Sequence, residues 1–83
     1  MALMAGTLVE DPRSGLAVED VTGAVTPVIW PFGYSARPDL GGMALVDANG
    51  AVIAHVGEAI EVGGGLGRDF WVACGFGITN VKG

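Results

Sequence analysis

Glycine and proline interrupt every part of this sequence, and that punctuation decides which regular structure it can build. No window carries apolar residues at i, i+3, i+4 and i+7 without a glycine or proline breaking the pattern. The best helical competitor, Asp47 to Glu61, is cut by Asn49-Gly50 and Gly57 into pieces too short to hold. Of the 15 glycines, five sit in a pair and a triplet between apolar runs (Gly41-Gly42, Gly63-Gly64-Gly65), as turn residues do, and the whole set shows no collagen-like period.

What remains between the breaks reads as short strands. Gly6 to Glu10 is the first, stopped by Asp11-Pro12-Arg13-Ser14-Gly15, and Leu16 to Val21 alternates as its hairpin partner. Val25 to Trp30 follows. Pro27 has no N–H to donate, which predicts an edge or a bulge there. Met43–Val46 and Ala51–Val56 form the clearest hairpin: Asp47 can bond back to the chain, and Gly50 can take the positive φ of a type I turn followed by a bulge. On Ala51–Val56, His55 shares a face with Ala51 and Ile53, opposite Val52, Ala54 and Val56. Glu58–Val62 puts Glu58, Ile60 and Val62 on one face and Ala59 and Glu61 on the other, and Gly63-Gly64-Gly65 ends it. Phe70–Ala73 and Phe76–Val81 are the last two, separated by Cys74-Gly75. The pattern predicts an all-β domain spanning 1–83: a closed or partly open barrel of five to seven short strands, with little or no helix. In so short a chain, closing the sheet is the direct way to remove exposed edges.

A domain of 83 residues hides only about 60–65% of the surface its unfolded chain exposes, so its margin is narrow. Cys74 is the lone cysteine, which rules out an internal disulfide, and no Cys/His cluster offers a structural metal site. Stability must come from packing, short connections or self-association. The composition, 51% hydrophobic and 16% charged, is the opposite of a disordered chain's.

The formal charge of −5 excludes some partners. The four bases, Arg13, Arg37, Arg68 and Lys82, are scattered singly, whereas phosphate backbones are bound by clustered Lys and Arg. Nucleic acid is therefore disfavoured, and an anionic membrane surface would repel the domain. No apolar run approaches the roughly 18–20 residues of a bilayer-spanning helix. Met1 to Ala5 is too short for a signal peptide and lacks a basic start. A cytoplasmic location is the expectation.

Three stretches, Gly6-Thr7-Leu8-Val9, Val28 to Arg37 with its Trp30-Pro31-Phe32-Gly33-Tyr34-Ser35, and Leu45 to Gly65, resemble short uncharacterised bacterial domains. In those, a WPxGYS segment precedes VLDxDGxVVAxVGDxVxxGGG. The likeness covers roughly three-fifths of the chain. It implies a small barrel similar to oligonucleotide/oligosaccharide-binding (OB) domains, and no activity comes with it. After Leu66 this chain departs from the pattern apart from the aromatic Phe70-Trp71-Val72, which leaves the register of residues 66–83 open.

No catalytic set, metal site or cofactor is expected. His55, the only histidine, has no Ser-His-Asp or Cys-His pattern nearby and reads as a solvent-facing or locally bonded strand residue. Cys74, among Ala73, Gly75 and Phe76, reads as a small buried apolar residue. Glu10-Asp11 and Glu19-Asp20 are neighbours whose carboxylates point to opposite faces, so neither pair makes a glycosidase site. Asp47 to Gly50 has too few oxygen ligands for calcium. Gly63 to Gly67 lacks the lysine and hydroxyl of a phosphate loop and reads as a flexible connection.

The segment from Trp30 to Pro38 holds three aromatics, two prolines and an arginine. Aromatics and arginine dominate binding hot spots, and proline stiffens the chain that presents them. One reading is a preorganised loop offering Phe32, Tyr34 and Arg37 to a partner. The other is that Trp30 and Phe32 close one end of the core with Tyr34 packed over them. Phe70 and Trp71 are adjacent, so one faces inward and the other outward as a contact surface. The candidate binding residues are Trp30, Phe32, Tyr34, Arg37 and Trp71, in a non-enzymatic module whose partner is a protein or a second copy of itself. Binding of single-stranded nucleic acid or a small ligand is the alternative.

Overall fold

The computed structural model describes residues 2–12 and 15–81, with the side chains of Ala2 and of residues 74–76 left aside. The turn residues Arg13 and Ser14, the Cys74 side chain and Lys82 lie outside the described residues. Eight strands and no helix fill what is described: β1 (Ala2–Asp11), β2 (Gly15–Glu19), β3 (Val25–Ile29), β4 (Ser35–Asp39), β5 (Gly42–Val46), β6 (Val52–His55), β7 (Ala59–Leu66) and β8 (Trp71–Asn80). Five of them close into a barrel in the order β1-β2-β3-β8-β7. Every seam is antiparallel except β3–β8, where Val28 pairs with Trp71 and Ile29 with Val72. The other three form a separate sheet in the order β4-β5-β6. The expected barrel is present, and a second sheet accompanies it instead of one continuous wall.

The two sheets share a core. Leu8, Leu16, Val18, Val28, Ile60, Val62 and Trp71 point inward from the barrel, and Leu45 and Ala54 join them from the second sheet. Burying a side chain of leucine size contributes about 1.5–3 kcal/mol, so these few residues supply most of what a chain this short can gather. Ile60 and Val62 face in, as the alternation predicts. Ala17 faces away from that cluster yet is fully buried, because its cross-strand neighbours Val9 and Pro27 stand beside the small methyl. Pro27 itself lies just before the β3–β8 seam begins, so its missing N–H interrupts no ladder on that side.

Turn chemistry works where the residues announce it. The Asp47 carboxylate accepts hydrogen bonds from the Asn49 and Ala51 amides, Gly50 N–H donates to the Asp47 carbonyl, and Gly50 takes φ 86°. Asp47→Ala removes two of these bonds and is expected to cost about 1 kcal/mol, read as a lowered midpoint in a urea melt. The expected bulge is Gly50 itself, and a second one that the sequence does not announce follows: Leu45 pairs with Ala54, but Val46 pairs with Val52, leaving Ile53 as the extra residue. That extra residue breaks the alternation. Ala54 is buried and Val52 exposed, although the uninterrupted pattern puts them on one face.

Two further expectations are corrected. Gly63-Gly64-Gly65 does not end its strand, because β7 runs on to Leu66. The reason is close approach: a Cβ on Gly77 would lie 2.8 Å from the Gly63 Cα, and β8 crosses there with a register shift between Val62 and Gly64. Residues 71–80 form one strand rather than two.

Candidate functional site

The stretch from Trp30 to Arg37 separates into an anchored part and a presented part. Trp30 is half-buried against the core, and its indole N–H donates to the Leu16 carbonyl at 3.1 Å. Residues 31–34 make a tight turn in which Tyr34 N–H donates to the Pro31 carbonyl at 3.1 Å and Gly33 takes φ 89°. A Cβ on Gly33 would sit 2.8 Å from the Ala48 Cβ, so this turn rests on the β5–β6 turn. Only glycine allows both that conformation and that contact. Phe32, at the tip, is 102% exposed, while Tyr34 is half-buried against the core. The chain then continues as β4, where the sequence alone suggests a loop. Arg37 is exposed on that strand.

The two readings of this segment are therefore divided between residues. Trp30 and Tyr34 brace the core, and Phe32 and Arg37 face solvent. Trp71 is the inward member of its pair, 7% exposed and part of the core, which takes its ring away from the surface. Its indole N–H has no hydrogen-bond partner among the described residues. Phe70 is half-buried, its ring lying over Gly67.

A second group assembles around His55. The imidazole Nε2 lies 2.7 Å from Asp39 Oδ2, and Nδ1 lies 3.4 Å from Glu58 Oε1. Glu58 Oε1 also accepts the His55 backbone N–H at 2.6 Å and the Asn80 side-chain amide at 3.2 Å, and Asn80 donates to the Ile53 carbonyl as well. Asp39 reaches His55 from two strands away. The facing positions of the intervening strand are Gly42, opposite Asp39, and Ala44, opposite His55, so only small side chains stand between. The hydrogen bond to Asp39 holds the imidazole pKa above its ordinary 6.5, with Glu58 adding to it against the cost of partial burial. The hydrogen bond donated by the His55 backbone N–H holds the Glu58 carboxyl below its ordinary 4.5, helped by the ring and by Asn80.

His55 is a locally bonded strand residue, as the sequence suggested. Both ring nitrogens face carboxylates, so neither is free to take a proton from a substrate hydroxyl without breaking a contact. An open depression of about 370 Å³ adjoins the group, walled by Asp39, Leu40, His55, Val56 and Glu58. Another, of about 430 Å³, lies between the β1–β2 turn and Ala36 and Met43. Among the described residues no cluster of His, Cys, Asp and Glu could hold a metal ion. The chain matches no family model, no curated protein and no solved structure. Among the described residues no helix is long and apolar enough to cross a membrane.

Sequence reasoning missed Asp39, Glu58 and Asn80. The spacing of His55 and Glu58 across Gly57 was a usable signal, since a reversal brings residues three apart together. Nothing local marks Asp39, which arrives by strand register alone.

Proposed function

We propose that this domain is a non-enzymatic interaction module that docks a protein partner through the 31–37 segment. The observation that carries the reading is Phe32. A fully exposed aromatic ring stands on a turn fixed by Gly33, by the Pro31 carbonyl and by contact with Ala48. A rigid aromatic pays little ordering entropy on binding, and arginine is the cation most often found at such contacts. The partner this segment fits offers an apolar pocket for Phe32 and a carboxylate for Arg37, and a second copy of the chain is the other candidate occupant.

Phe32→Ala and Arg37→Ala are each expected to weaken capture of the partner in a pull-down at least tenfold, about 1.4 kcal/mol, while leaving the thermal melt within a degree or two. Unchanged capture by both variants would remove the segment from any interface. Sedimentation of the wild-type chain over a concentration series separates self-association from a foreign partner.

A second reading draws support from topology. A five-stranded barrel with three consecutive antiparallel strands and one parallel closing seam has the strand order of OB-like domains, which bind oligonucleotides or oligosaccharides. The net charge of −5 weighs against a phosphate backbone. A labelled oligonucleotide titrated at low salt decides it, since affinity that rises steeply as salt falls would reverse the ranking.

A further inference from the structure

The group around His55 joins parts of the fold that local sequence does not connect. Asp39 ends β4, His55 ends β6, Glu58 lies in the turn leading to β7, and Asn80 ends β8. Two of these belong to the second sheet, and the others to the barrel or the chain entering it. Beside them, Gly57 N–H donates to the Leu8 carbonyl and Leu8 N–H donates to the Glu58 carbonyl, so the turn carrying Glu58 is fixed to barrel strand β1. The imidazole therefore bridges an element held by the barrel and the far edge strand of the second sheet. Next to Asp39 is Leu40, with φ 47°, a backbone conformation that side chains with a Cβ avoid. Leu40 and Gly41 close the β4–β5 hairpin, and Leu40 is 93% exposed, so packing contributes little to holding that tip.

We propose that Asp39, His55 and Glu58 form a proton-operated latch that fastens the second sheet to the barrel when the imidazole is protonated. A protonated ring donates from both nitrogens, one to each carboxylate, and carries the charge that both attract. A neutral ring has one N–H, so one of the two contacts becomes an acceptor facing an acceptor and opens. Among the described residues the other charged group on this face is Arg37, in the row Arg37–Ala44–His55. It stands two strands away, roughly 10 Å by strand spacing, and is exposed, so it opposes protonation only weakly. Met43 and Ala44 on β5 and Asn80 on β8 carry no charge.

The direction of the pH effect follows. Because the folded imidazole holds its proton more tightly than the unfolded one, its contribution is complete below about pH 6.5 and is lost as pH rises through the raised value. Glu58 acts oppositely: its contribution is present above about pH 4.5 and is lost as pH falls through the lowered value. The latch is therefore tightest between those two and slackens towards alkaline pH.

Nuclear magnetic resonance on the intact chain tests this. The His55 ring should titrate above 6.5. Amide protection across β4, β5 and β6, corrected for intrinsic exchange, should fall several-fold between pH 5.5 and 8, while β1 and β2 hold theirs. His55→Gln should flatten that dependence, and Asp39→Asn, which keeps the shape of the side chain, should lower the His55 pKa and reduce the change. A ring titrating at or below 6.5, protection in the second sheet that stays constant while the ring titrates, or a dependence that survives His55→Gln would each overturn the latch.

Discussion

Gly64→Ala is expected to cost the barrel more than about 3 kcal/mol and leave much of the chain unfolded at room temperature, whereas Gly65→Ala next to it changes little. The two positions are neighbours on β7 and chemically the same. Their surroundings differ. Gly64 has φ 152°, in a region essentially reserved for glycine, and an added Cβ would overlap the Val72 carbonyl oxygen and reach 3.0 Å from the Trp71 indole nitrogen. Both neighbours belong to β8, which cannot withdraw without opening the β7–β8 seam and, through Trp71, the core. An added Cβ at Gly65 meets nothing within 4 Å. Domains of this size have only a few kcal/mol in hand, so a loss of this order shows as a collapsed thermal transition. Melts of the two variants that agree within a few degrees would mean the bend at Gly64 is softer than its geometry implies.

Leu45→Ala carries the second large effect, a loss of about 2–5 kcal/mol. Leu45 is fully buried on β5, yet the cluster it fills is mostly made by the barrel, from Leu8, Leu16, Ile60 and Val62. Truncating it removes apolar contact and leaves a cavity between two sheets that have no hydrogen-bonded ladder in common to draw them together. The unfolding of this variant should remain a single cooperative transition, monitored by Trp30 and Trp71 fluorescence and by far-ultraviolet circular dichroism. Two separated transitions would show that the second sheet can leave while the barrel stands, and that the common core is less binding than its burial suggests.

These two residues also mark how far the sequence could be read. The hairpin around Asp47 to Gly50 was legible, because every group that makes the turn lies within five residues of the others. The antiparallel pairing of β1 with β2, which brings Asp11 opposite Gly15, was legible too. By contrast, β4 carries no local strand signal: Ser35-Ala36-Arg37-Pro38-Asp39 has no apolar alternation, and it is a strand because β5 offers it a ladder along its whole length. Phe32 and Arg37 were legible as surface candidates. Trp71 was placed among them because an adjacent aromatic pair does not say which member faces inward, and pairing with Val28 on one side and Leu66 on the other decides it.

The amino-acid order alone settled that this chain is built from strands, where most of them reverse, and that its four bases are scattered singly. Each of those depends on neighbours along the chain, on backbone freedom, turn bonding and charge spacing. Only the folded arrangement settled that three glycines continue a strand, that a second sheet shares the barrel's core, and that Asp39 meets His55. Those outcomes depend on which segments pass within a few ångströms of each other, a distance fixed by register and closure and absent from any local stretch of residues.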